Sequence, residues 1–80
     1  MPQSIRLFVK PGCPWCRDAI AWLNAKGVKY ETIDVLSDPK GMEEMRALTG
    51  QTLAPSIDVD GEILADFGVD EIEAWWPKFE

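Results

Sequence analysis

The chain has 80 residues, 46% of them hydrophobic and 28% charged, which fits one small globular domain spanning residues 1–80. Fourteen acids against eight bases give a net charge of −6, and histidine is absent. That balance argues against a nucleic-acid partner, and the missing histidine excludes Cys-His and Ser-His nucleophile chemistry and a Cys/His zinc site.

Chain order begins with a strand at Ile5–Val9, then a loop from Lys10 to Pro14. The apolar set Cys16, Ala19, Ile20 and Leu23 recurs at helical spacing, which predicts a helix over 15–26 capped by Gly27. Residues 28–35 alternate and predict a second strand, parallel to the first across the crossover helix. Ser37-Asp38-Pro39 opens a second helix through Met42, Met45 and Leu48, ended by Gly50. Residues 51–55 form a loop into a strand over 56–59. Asp60-Gly61 turns the chain into a strand over 62–65. A last helix is expected from about Val69 to Phe79, with Ile72, Trp75, Trp76 and Phe79 at helical spacing. The expected class is α/β, with a four-stranded mixed sheet, three helices and the order β-α-β-α-β-β-α.

Chemistry concentrates in Cys13-Pro14-Trp15-Cys16, which holds both cysteines of the chain. A bridge between them closes too short a loop to act as a structural staple, and a disulfide-built secreted domain carries more cysteines. Met1-Pro2-Gln3-Ser4 shows no signal-peptide pattern and no segment is long enough to span a bilayer, so a cytoplasmic location is expected. At the start of the first helix Cys13 gains from unpaired N–H groups and the helix dipole, which favour a thiolate below the free value of about 8.5. Lys10 adds positive charge. Cys16, one turn further in, is expected to be more buried and to act as the resolving thiol. Trp15 lies at the edge of this motif, while Trp22, Trp75 and Trp76 read as packing residues. Asp58 is read as an acid on a solvated strand edge. Arg17, Lys40 and Arg46 are read as solvated or paired.

The element order, Lys10-Pro11-Gly12-Cys13-Pro14-Trp15-Cys16, the loop Leu53-Ala54-Pro55 and the Asp60-Gly61 hairpin together resemble the thioredoxin fold, and within it a dithiol glutaredoxin. The resemblance implies a cis bond at Pro55 facing the dithiol, with the Ala54 backbone turned toward a substrate strand. It also implies glutathione as co-substrate, with Lys10, Trp15, Gln51, Leu53, Ala54, Pro55 and backbone N–H groups near Asp66 and Phe67 as its contacts. No resident metal is expected, and a potential of roughly −200 to −230 mV fits the family. Disulfide-bearing proteins are the implied partners, and a monomer is expected. The stretch 65–70 looks closer to the glutaredoxin-like electron donors of ribonucleotide reductase, some of which are reduced by thioredoxin reductase. A glutathione-dependent [2Fe–2S] carrier is a further alternative.

Overall fold

The computed structural model describes residues 2–80. Met1, where the leader reading began, lies outside the described residues. The elements are β1 (Ile5–Val9), α1 (Pro14–Lys26), β2 (Glu31–Asp34), α2 (Pro39–Thr49), β3 (Ser56–Val59), β4 (Glu62–Leu64) and α3 (Val69–Trp75), followed by a 3₁₀ turn, Trp76–Phe79. The sheet runs β2-β1-β3-β4. β1 is parallel to β2 and antiparallel to β3, and β3 is antiparallel to β4. This is the mixed, four-stranded thioredoxin fold that the element order implies.

Alternation along the two central strands divides the core. Ile5, Leu7, Val9, Ile57 and Val59 face α1 and α3, where they bury Cys16, Ala19, Leu23, Phe67, Ile72 and Trp76. Phe8 turns to the other face and meets Val35 and Met45 beneath α2. Helix ends follow local chemistry. Pro39 opens α2, and the Asp38 carboxylate accepts the Gly41 N–H at 3.2 Å. A side chain at Gly41 would come within 2.5 Å of Ile33 Cγ2, so α2 packs on β2 only with glycine there. Both Asp60 (φ 52) and Gly61 (φ 92) have positive φ, as the tight hairpin between β3 and β4 requires.

Four expectations need correction. Residues 28–30 do not pair, because the register sets Arg6 opposite Glu31 and leaves little of β1 beyond it; β2 is Glu31–Asp34. β4 ends at Leu64, one residue earlier than expected. The α-helical path of α3 stops at Trp75, and the chain tightens to a 3₁₀ turn around Pro77, which lacks an N–H and cannot continue an α-helix. The Trp76 indole is still delivered to the core, edge-on to Trp22 with centroids 5.5 Å apart.

Asp58 is the largest correction. It points away from Ile57 and Val59 as expected, yet it sits on an inner strand and is only 8% exposed. Directly across from it in the register, Arg6 donates to its carboxylate at 2.8 Å and to Glu44 of α2 at 2.5 Å. Hydrogen bonding to Asp58, and then to Glu44, holds the Arg6 guanidinium above its ordinary pKa. The second carboxylate oxygen of Asp58 accepts the Gly61 N–H at 2.8 Å. Polar burial here is fully partnered, which is the condition for placing charge inside a sheet.

Candidate active site

β1 runs out at Val9, and the chain reaches α1 through the turn Lys10–Gly12, so both thiols stand at the C-terminal end of a central strand. Cys13 is the N-cap of α1. Its sulfur, in the place usually held by a hydroxyl or carboxylate oxygen, accepts the Cys16 N–H at 3.2 Å. Pro14 occupies the first helical position, where a missing N–H costs nothing. The sulfur thus lies at the positive end of α1, with an amide aimed at it.

The two thiols have different surroundings. Cys13 is half-buried, whereas Cys16 is 2% exposed and belongs to the core between the sheet and α1. Burial, reinforced by hydrogen bonding with Cys13, pushes the Cys16 thiol from 9.0 up to about 11. Lys10, through its backbone and its charge, opposes that rise in part. A cleft of about 250 Å³ opens beside Cys13, walled by Lys10, Gly12, Arg17, Ile20 and Asp34. Two cations, Lys10 and Arg17, and one carboxylate, Asp34, share this lining with the sulfurs. The larger depression, about 800 Å³ along Lys40, Glu43 and Arg46, lies on the exposed surface of α2 and holds neither cysteine.

Across from the dithiol, the Ala54–Pro55 bond is cis, and the Ala54 carbonyl oxygen lies 4.0 Å from Cys13 Sγ. Leu53 is exposed next to it, and Pro55 is buried. Trp15 is 59% exposed, with its ring close to Gly68; together with Asp18 and Asp70 they line a pocket of about 220 Å³. Lys10 thus lines the cleft with the thiols and the Ala54 carbonyl faces Cys13, while Leu53 and Pro55 flank Ala54 in the chain and Trp15 lines a separate pocket.

The remaining expected contacts are differently engaged. Gln51 turns its amide inward, accepting the Leu53 N–H and donating to Ser56 Oγ. The Phe67 side chain is fully buried, and its N–H donates to the Pro55 carbonyl at 3.1 Å. The Asp66 N–H donates to Ser56 Oγ at 3.2 Å, and the Gly68 N–H to the Glu71 carboxylate at 2.9 Å. The expectation of free N–H donors at Asp66 and Phe67 is thus corrected: each already has an internal acceptor, because β3 and the start of α3 are stitched together. Sequence reasoning missed Ser56. The available signal was a polar residue at the first position of a strand, directly after the loop proline.

Among the described residues no group of three or more histidine, cysteine, aspartate or glutamate side chains is placed to hold a metal ion. No helix among them is long and apolar enough to cross a membrane.

Comparison with known proteins places this geometry. A family model described as glutaredoxin matches residues 5–64. An uncharacterized glutaredoxin-like 8.6 kDa protein in the rubredoxin operon of Clostridium pasteurianum is 36% identical over 69 residues, which cover 86% of this chain and 92% of that protein. Glutaredoxin 3 of Escherichia coli strain K12 is 30% identical over 71 residues, covering 89% and 83% of the two chains. Among solved structures, the thioredoxin-like protein BC3987 superposes with a TM-score of 0.81 at 25% identity, covering 89% of this chain and 97% of that one.

Proposed function

Because this chain belongs to the glutaredoxin family, we propose that it is a thiol–disulfide oxidoreductase that reduces protein disulfides and glutathione mixed disulfides through Cys13 and Cys16. The observation that carries the proposal is the asymmetry of the two sulfurs. One is accessible and receives an amide N–H at a helix N-terminus; the other is buried and held as a thiol.

In the first step the Cys13 thiolate attacks one sulfur of the substrate disulfide, forming a mixed disulfide and releasing the other sulfur as a thiolate that takes a proton from water. Cys16 then attacks Cys13 Sγ. Its proton passes to the departing substrate sulfur, so the substrate leaves as a dithiol and Cys13–Cys16 is oxidised by the same two electrons. Two glutathione molecules return the pair to the dithiol and leave as glutathione disulfide. The buried thiol suits the second role, since only the sulfur next to it is within its reach. This cycle draws on a reducing thiol pool, which supports a cytoplasmic location. No resident metal enters it, and a monomer suffices.

A second reading concerns the reductant alone. The N–H groups of Asp66, Phe67 and Gly68 are all engaged internally, and Glu71 sets a carboxylate beside them. A glutathione carboxylate would find those three donors taken and Glu71 opposing it, which leaves only the first-turn N–H groups of Val69 and Asp70 to receive it. This favours electron delivery from a thioredoxin reductase-type flavoprotein, as for the electron donors that residues 65–70 resemble.

The test is turnover of a small glutathione mixed disulfide with glutathione and glutathione reductase, run beside thioredoxin reductase. Cys13→Ser should abolish reduction of every disulfide, while Cys16→Ser should keep activity on glutathione mixed disulfides only. Full activity in Cys13→Ser would sink the assignment. Turnover with thioredoxin reductase alone selects the second reading.

A further inference from the structure

Ser56 opens β3 directly after Pro55 and is fully buried. A serine hydroxyl offers one donated hydrogen and two lone pairs. All three are used. Oγ donates to the Leu53 carbonyl at 3.0 Å, and accepts the Asp66 N–H at 3.2 Å and the Gln51 side-chain amide at 3.4 Å. Gln51 closes the ring by accepting the Leu53 N–H. A parallel tie, Phe67 N–H to the Pro55 carbonyl at 3.1 Å, runs beside it.

One hydroxyl therefore joins two loops that are distant in sequence. The first ends at Ala54, whose carbonyl stands 4.0 Å from Cys13 Sγ. The second holds Asp66 at φ 50, a left-handed conformation that side chains other than glycine rarely adopt. Loops carry surface chemistry well only when something rigid fixes them, and here the fixing group is a buried side chain of the sheet.

We infer that Ser56 is a positioning residue: its hydroxyl clasps the Leu53–Ala54 backbone beside Cys13, so that an extended polypeptide disulfide can lie along that edge during exchange. The inference rests on the oxidoreductase reading and adds to it the residue that holds this edge in place; a disulfide with no peptide backbone does not use the edge. A small disulfide needs only the sulfur of Cys13. A peptide also needs the backbone edge to be in place before it arrives, since ordering that edge on binding weakens the complex.

Ser56→Ala removes all three bonds at once. With an extended disulfide-bonded peptide, KM should rise about tenfold, the equivalent of one net hydrogen bond, with kcat within about twofold of wild type. With hydroxyethyl disulfide reduced stoichiometrically by the pre-reduced protein, with no glutathione present, the rate constant should not change. Gln51→Ala removes two bonds of the ring, the donation to Ser56 Oγ and the acceptance of the Leu53 N–H, and should raise the peptide KM by about threefold, with a smaller further rise in the Ser56→Ala background. It also serves if Ser56→Ala melts below the assay temperature. Equal losses on both substrates, or a change on neither, overturn the inference. Amide hydrogen exchange reads the clasp without turnover: Asp66 and Phe67 should exchange faster in Ser56→Ala while Leu7 keeps its wild-type rate. Unchanged exchange at Asp66 and Phe67 overturns the clasp. A wild-type chain that reduces neither substrate overturns the oxidoreductase reading, and exchange alone then decides the clasp.

Discussion

The two faces of the sheet solve the same packing problem with different chemistry. The face under α1 and α3 is apolar, with Leu7, Leu23, Ile57, Val59, Phe67 and Ile72 all fully buried. The face under α2 buries Phe8 and Met45 but also the Asp58 carboxylate, which pairs with the partly exposed Arg6 guanidinium shared with Glu44. The dithiol belongs to the apolar face. That placement gives the two sulfurs different surroundings, and burying Cys16 among hydrocarbon costs little as a thiol and much as a thiolate. On the other face a charge is tolerated because every partner is present. Position relative to the sheet, more than residue type, decides whether a polar group is inert, paired or reactive.

The largest effect that could break this comparison lies on the apolar face. Leu7→Ala should lower unfolding free energy by about 3 kcal/mol in denaturant titrations, through lost transfer energy and an unfilled cavity. Next comes Arg6→Met, which strands Asp58 in the sheet. It should cost about 2 kcal/mol, less than a fully dry pair would lose, because the Arg6 side chain is 25% exposed. Replacing Arg6 and Asp58 together should recover part of that loss, a coupling that a double-mutant cycle measures. An Arg6→Met protein as stable as wild type would mean that the charged face is held by Phe8 and Met45 alone.

The last test is a titration. An unfolded chain releases the Cys16 proton near pH 9.0, while the folded chain keeps it until about 11. Between those values the folded state binds more protons, so stability of the reduced protein should fall as pH rises, and level off above them. Cys16→Ala should lose this component of the slope when urea unfolding is followed across the window under reducing conditions. Identical slopes in the two proteins would show that Cys16 does not feel the apolar face.

Much of this was legible in the residue order. The first helix begins one residue earlier than expected, at Pro14, which the reading left in the loop, but over 15–26 it could be read because its signals are local: an apolar stripe and Gly27 at the end. The same holds for Asp38-Pro39 and for Asp60-Gly61. Extending β2 back to residue 28 failed because alternation reports a half-buried segment and not the partner it needs. Asp58 was misjudged for a related reason: its neighbours in the chain say which face it takes, but only the β1–β3 register sets Arg6 opposite it.

By itself the sequence determined the pair of reactive thiols, the helix that Cys13 caps, and the family, since these depend on residue types at fixed short spacings. The tertiary structure decided what those spacings could not. It placed Cys16 in the apolar core and the Ala54 carbonyl beside Cys13. It also engaged the N–H groups of Asp66 and Phe67 internally and made Ser56 the tie between two loops. Each of these is a long-range contact, and a contact between distant residues exists only once strand order and register have brought them together.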